Sequence, residues 1–289
     1  MPFDISKNLE TLREDGVLII ENYLDESSLK KIKDETNPWL SQISFNSQIS
    51  SAVIGNNQWI EHLGLCSYHA LETVLDHNLI NFAEQYFNEG VALGSLQYQR
   101  KVFPEPTGIP MHLDHGNGVY LFIYLNTVDD STGATRFIKQ THKLNSIENN
   151  LQKGVTNELY IKDTFIKSHQ DNFIQAHGGP GTMVIWDRKT LHDLPGFKKH
   201  GRDLIMASLI PKSDSSQIKD HLFRQSFLRK LSTKQRNVIF SGQFNENQRS
   251  LFKLGSEHSL LDEYKISRFR MFLYYIRFKM IQIFRPIKG

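Results

Sequence analysis

The sequence predicts a mainly β domain with flanking helices, its core a sandwich, jelly roll or barrel. From about residue 92 to 211, short segments rich in β-branched and aromatic residues are separated by glycine, proline, asparagine and aspartate, the texture of strands and turns. They do not alternate with helical patterns, so parallel β-α-β units are not expected. On both sides of this stretch apolar residues recur at helical spacing. With 289 residues, 39% of them hydrophobic, the chain can bury one large β-rich core with appendages.

In chain order, Ile5 to Glu14 reads as a polar helix, Asp15-Gly16 as a turn and Val17 to Ile20 as a strand. Asp25-Glu26-Ser27-Ser28 offers capping residues for a helix through Lys33, with Leu29 and Ile32 on one face. Residues 69–89 form a further helix pattern through Leu71, Val74, Leu75, Leu79 and Phe82. Strand candidates follow at Leu93 to Phe103, Gly118 to Leu125, Thr135 to Phe137, Thr182 to Trp186 and Asp203 to Ile210. The interval 143–175 holds loops with room for an edge strand. Beyond Pro211 the chain is polar and helical again, and it finishes in a basic, aromatic helix candidate, Ser267 to Phe284. The expected organisation is a catalytic part over 1–211, with its β core at about 92–211, and a helical extension over 212–289.

Charge and cysteine content narrow the function classes. The formal charge is +3, but residues 265–289 carry seven basic side chains and no acidic one, which leaves the preceding 264 residues at −4. A mildly acidic main domain does not offer the basic stripe that a nucleic-acid groove needs. A single cysteine, Cys66, excludes an internal disulfide framework and any multi-cysteine metal site, and suits a reducing compartment; the cytoplasm is the expected location. The N-terminus lacks the pattern of a secretory signal, and no apolar run reaches the roughly 20 residues that span a bilayer.

The chemistry concentrates in two places. In Ile109-Pro-Met-His112-Leu-Asp114-His115-Gly, strand alternation would set His112 and Asp114 on one face, within reach of one metal ion, with His115 on the other. In Gly178-Gly-Pro-Gly-Thr-Met-Val-Ile-Trp-Asp-Arg-Lys-Thr-Leu-His192, a glycine turn feeds an apolar strand that ends shortly before a histidine, and Arg202 opens the next strand ten residues on. Two histidines and one carboxylate on one face of an iron leave three open positions, the arrangement that non-haem Fe(II) oxygenases need for a bidentate 2-oxo acid and dioxygen. A nearby arginine can take the far carboxylate of such an acid through two parallel charge-assisted hydrogen bonds.

At these residues the sequence resembles the phytanoyl-CoA dioxygenase family. Leu12-Arg-Glu-Asp-Gly-Val-Leu-Ile-Ile-Glu-Asn-Tyr-Leu24 is similar to that family's opening helix-to-strand segment, and His112-Leu-Asp114 to its first two ligands. Leu121-Phe-Ile-Tyr-Leu-Asn126 and Thr132-Gly-Ala-Thr-Arg-Phe-Ile-Lys-Gln-Thr-His142-Lys are similar to the strands and turn that follow. The resemblance covers roughly residues 8–211 with the motifs in the family's order. It implies a double-stranded β-helix, Fe(II) held by His112, Asp114 and His192, and 2-oxoglutarate anchored by Arg202, with dioxygen as cosubstrate. It also implies a polar cosubstrate contact from the strand before the ligands, for which Gln99 is favoured and Gln97 is the alternative. Arg202 lacks a serine two residues on; Ser208 shares its strand face and would contribute if the strand continues. The turn before His142 reads Lys-Gln-Thr-His instead of Pro-Gly-Ser-His. Family relatives that halogenate have a small residue in place of the carboxylate, so Asp114 points to hydroxylation or a related oxidation.

The implied activity is hydroxylation of a small or carrier-borne organic substrate with release of succinate and CO2. Its rivals are desaturation, epimerisation or ring formation with the same cofactors, and a catalytically silent metal-binding β-helix protein. His142, His177 and His200 read as loop or surface residues and Cys66 as a thiol without function; Asp187 and Trp186 end the strand leading to His192 and could line the pocket, although a tryptophan there is more often core packing. Residues 265–289 have two readings, packing against the main domain or a second subunit, and peripheral attachment to an anionic membrane.

Overall fold

The structure, a computed structural model, describes residues 3–42, 57–101, 108–114, 116–144, 150–153, 159–197, 201–217 and 223–239. The basic aromatic segment 265–289, His115 and His200 lie outside the described residues.

Helix α1 (Ile5–Asp15) begins where the Asp4 side chain accepts from the Lys7 N–H. It stops at Gly16, whose φ of 76° brings its own N–H back to the Leu12 carbonyl. Strand β1 (Val17–Ile20) follows. Helix α2 (Glu26–Gln42) runs well past Lys33 and carries Pro38 inside it. The face begun by Leu29 and Ile32 continues through Thr36 and Leu40, all buried, and that packing offsets the hydrogen bond that the proline removes. Then come β2 (Asn57–Ile60) and the short α3 (Leu63–Cys66). The helical pattern at 69–89 divides into α4 (Tyr68–Val74) and α5 (His77–Phe87), because Asp76 accepts from the Asn78 and Leu79 N–H groups and starts a new helix there.

The β region comprises β3 (Val91–Lys101), β4 (Ile109–His112), β5 (Val119–Tyr124), β6 (Arg136–Ile138), β7 (Leu151–Lys153), β8 (Leu159–Ile161), β9 (Phe173–Gln175), β10 (Met183–Asp187), β11 (His192–Leu194) and β12 (Asp203–Pro211). The interval 143–175 is richer than expected: β7 and β8 pair there, α6 (Asp163–Ser168) follows, and β9 forms a sheet edge. Helices α7 (Gln225–Leu228) and α8 (Thr233–Ile239) close the described chain.

All pairings within the sheets are antiparallel. The larger sheet has the order β1-β10-β5-β12-β3-β2, and the smaller has β4-β11-β6-β9. Alternation along the strands of the larger sheet separates two faces. Leu121, Ile123, Ile185, Ile205 and Ala207 join the cluster containing Leu12, Ile32, Leu71 and Phe82 from the helices. Phe122, Tyr124, Val184, Trp186 and Leu204 instead meet Phe137 of the smaller sheet, so this second face lines the space between the sheets. Phe223, Phe227, Leu228, Leu231, Val238 and Ile239 belong to the helix-side core. The far face of the smaller sheet is covered by Ile161, Phe165 and Ile166.

Candidate metal centre

Strands β4 and β11 pair with His112 directly opposite His192, and the two ring centroids lie 4.3 Å apart. Asp114 arrives differently from the sequence expectation. Strand β4 ends at His112, and Asp114 is placed by its backbone N–H donating to the Arg188 carbonyl at 3.2 Å, in a loop that turns at Gly116 with φ of 82°. One ligand atom from each of the three residues lies within 4.8 Å of the others.

Hydrogen bonding fixes what these groups present. His112 Nδ1 donates to the Pro110 carbonyl at 2.8 Å, and His192 Nδ1 to the Thr190 carbonyl at 2.9 Å. A carbonyl only accepts, so each Nδ1 carries the proton and the Nε2 of a neutral ring is a lone pair. Burial pushes the His192 imidazole down to about 4 against the opposing pull of Asp114, which makes the ring neutral at physiological pH. His192 Nε2 nevertheless lies 3.4 Å from Asp114 Oδ2. The proximity has the geometry of an ion pair, but burial keeps the ring uncharged, so two lone pairs face each other. A divalent cation satisfies both, and His112 adds the third donor; the donor set therefore fits iron.

Arg202 immediately precedes β12 and is 4% exposed. Its Nη1 donates to the Gly133 carbonyl at 3.1 Å and to Thr135 Oγ1 at 2.5 Å, and its guanidinium lies 5.0 Å over the Phe122 ring. Thr135 and Phe137 alternate onto one face of the smaller sheet, so Arg202 reaches across the sheet interior. Lys101, also buried, donates its N–H to the Arg202 carbonyl.

Both glutamines are buried on the same face as Arg202. Gln99 lies in the row of Leu204 and Tyr124, and Gln97 in the row of Met206 and Phe122. Gln97 Oε1 has no hydrogen-bond partner. Strand β12 does continue to Ser208, on the Arg202 face, but six residues of strand span roughly 20 Å. Ser208 sits instead opposite Tyr120, its hydroxyl 2.9 Å from that of Ser95. The structure thus brings His112, Asp114 and His192 together, places Arg202 and Gln97 around Phe122, and sets Ser208 apart from Arg202.

Trp186, which the sequence leaves between pocket lining and core packing, stands in a wall of rings beside the site. Trp186 lies 5.6 Å from His192, 5.4 Å from Phe137, 4.6 Å from Phe122 and 5.3 Å from Tyr120. Thr135 was missed, because alternation shows that it shares a face with Phe137 without showing which face points inward. Of the other histidines, His177 is exposed beside Asp130, and half-buried His142 bonds the Arg13 carbonyl through Nε2. The divergent turn is closed by hydrogen bonds. Gln140 adopts φ of 66° where the family pattern has glycine, and Thr141 Oγ1 donates to the Ile138 carbonyl and accepts from the Leu191 N–H, next to His192.

Two antiparallel sheets facing each other, helices outside the larger one and a His-Asp-His cluster between them define a cupin-like double-stranded β-helix enzyme fold. The sequence model of the phytanoyl-CoA dioxygenase family (PhyH) matches residues 12–193, and the chain belongs to that family, one of Fe(II)- and 2-oxoglutarate-dependent oxygenases. Among solved structures, the fold is similar to the non-heme alpha ketoglutarate dependent epimerase SnoN from nogalamycin biosynthesis. That match has a TM-score of 0.57 and 13% identity, over 73% of this chain and 82% of that one. AviO1 from Streptomyces viridochromogenes Tue57 gives 0.53 and 13%, over 73% and 96%. HygX from Streptomyces hygroscopicus, solved with nickel and 2-oxoglutarate bound, gives 0.53 and 12%, over 71% and 86%. Identities this low bear on the fold alone. No curated protein matches the chain.

Proposed function

We propose that this chain hydroxylates a small or carrier-borne organic substrate, using Fe(II), 2-oxoglutarate and dioxygen and releasing succinate and CO2. The observation that carries the proposal is the convergence of three lone-pair donors, His112 Nε2, an Asp114 carboxylate oxygen and His192 Nε2, in the same sheet interior as the buried Arg202. Iron with the 2-oxo acid and dioxygen supplies the oxidising chemistry when bound. His112, Asp114 and His192 would hold the metal, and a set of three protein donors suits an iron that also takes a 2-oxo acid and dioxygen. Arg202, steadied by Gly133 and Thr135, takes the far carboxylate of 2-oxoglutarate. Of the two glutamines, Gln97 is favoured as the neighbouring polar contact, because it carries the unpartnered amide oxygen and lies in the row over which Arg202 stacks. Phe122, Phe137 and Trp186 exclude water from the region between.

Asp114 supports oxygenation over halogenation, since it fills the position that a halide would need. A second reading keeps the cofactors and changes the outcome to epimerisation, desaturation or ring formation, and the fold is compatible with it, since an epimerase shares that fold. Product mass separates them, because only hydroxylation adds one oxygen. Among the described residues no helix is long and apolar enough to cross a membrane.

The testing experiment is an anaerobic titration with Fe(II) and then 2-oxoglutarate, following the visible charge-transfer band of a chelated 2-oxo acid in wild type and Asp114→Ala. A band in the wild type that is lost in the variant supports the assignment. Iron binding with no band in the wild type overturns it in favour of a silent metal-binding protein.

A further inference from the structure

We infer that Trp186 is a cosubstrate-binding residue whose indole N–H donates a hydrogen bond to an oxygen of the bound 2-oxo acid, an inference that rests on the function proposed above. Trp186 is 2% exposed, and its Nε1 is fully buried without a hydrogen-bond partner. A buried indole N–H finds an acceptor in most folded proteins, because its hydration is lost and must be replaced. Were the residue there only to fill space, phenylalanine would do so without stranding a donor.

The location says which acceptor is missing. The ring neighbours of Trp186 are His192, Phe137, Phe122 and Tyr120, none of which turns an acceptor to the indole N–H. His192 belongs to the metal cluster, while Phe122 is the ring beneath the Arg202 guanidinium. Trp186 therefore adjoins both a metal ligand and the ring beneath the proposed anchor. A dicarboxylate that reaches from the metal ligands to Arg202 comes within range of it, and such a molecule offers oxygens with free lone pairs along its length. An N–H donor in this apolar wall can orient the 2-oxo acid without adding charge next to the metal. That is a different task from Arg202, which supplies charge at the far end.

Trp186→Phe tests this, keeping an aromatic ring in the stack and removing the donor. Wild type and variant are compared anaerobically by titrating the Fe(II)-loaded protein with 2-oxoglutarate and following the charge-transfer band, with Fe(II) affinity and melting temperature measured in parallel. The expected result is a dissociation constant for 2-oxoglutarate about tenfold higher in the variant, with a displaced band maximum and nearly unchanged iron affinity, since hydrogen bonds to charged groups are typically worth that much. A second readout works on the wild type alone: the ultraviolet Raman marker of indole N–H hydrogen bonding should shift when 2-oxoglutarate is added. It is assigned to Trp186 by difference from the variant, because the chain has three tryptophans. An unchanged dissociation constant and an unshifted marker overturn the inference and leave the proposed function standing. No charge-transfer band in the wild type overturns the function itself.

Discussion

Replacing Arg202 by alanine should weaken 2-oxoglutarate binding far more than iron binding. The guanidinium is buried, steadied at Nη1 by Gly133 and Thr135 and stacked on Phe122, so its fork is held in place before any ligand arrives. Two charge-assisted hydrogen bonds from such a fork to a carboxylate, together with the cost of leaving that carboxylate buried and unpaired, amount to about 3–4 kcal/mol. At about 1.4 kcal/mol per decade this is a rise of roughly 10²–10³ in the dissociation constant. Arg202→Lys retains the charge and loses the fork, so its rise should be smaller, about tenfold. The assay is the anaerobic charge-transfer titration at fixed saturating Fe(II), with circular dichroism to establish that each variant is folded. Succinate formation uncoupled from substrate gives a second measure before any substrate is known. A folded Arg202→Ala protein with a near-normal 2-oxoglutarate dissociation constant would mean that another group holds the cosubstrate.

Three other predictions follow from the geometry. Fe(II) at about 100 times its dissociation constant should stabilise the wild type by about 2.7 kcal/mol, and Asp114→Ala should lose nearly all of that thermal shift; an unchanged shift sinks the proposed triad. Gly16→Ala places a side chain in a left-handed conformation, against His142 Nδ1 and 2.5 Å from Thr190 Oγ1. It should cost about 3 kcal/mol and lower the melting temperature by roughly 6–12 °C, and a melt within a degree or two of wild type would contradict the placement. Asp129 accepts from the Ser131 hydroxyl and from the Ser131 and Thr132 N–H groups, which hold its carboxyl below the usual range in the turn leading to Gly133 and Thr135. Its folded pKa is depressed, so its stabilisation is complete above the ordinary aspartate value and fades as pH falls below roughly 4. Denaturant midpoints of Asp129→Ala and wild type should therefore differ at pH 7 and converge under acid; a pH-independent gap would exclude the carboxylate as the cause.

Much of this candidate site was legible because its residues sit in short motifs that arrive in a recognisable order. The grouping of His112, Asp114 and His192 could be named before any coordinates, as could the β-rich core from about 92 to 211, while Arg202 as the cosubstrate anchor is a proposal. The route to Asp114 was not legible. Two-residue alternation suggested a strand position, whereas the strand ends at His112 and a backbone bond to Arg188 supplies the placement. Alternation likewise placed Ser208 on the Arg202 face without revealing that the intervening rise removes it from Arg202. The helix at 69–89 looked continuous because Leu75 and Leu79 keep its spacing, yet the local competition from Asp76 divides it. The sequence left Trp186 between pocket lining and packing, since only coordinates show an indole nitrogen without an acceptor. Thr135 was hidden for a related reason: its partner, Arg202, is distant in sequence and comes from the other sheet.

The pairing of β4 with β11 has a kinetic corollary. His112 and His192 are 80 positions apart, and they meet only when these two strands are in register. Contacts of such separation form late, after their loop-closure entropy has been overcome, so the complete ligand set is not available to template early folding. Metal should accordingly act on the exit from the native state: unfolding slows by nearly the full equilibrium stabilisation, while the rate of refolding stays the same with or without Fe(II). Resistance to unfolding would then track iron supply even where the yield of folded chain does not.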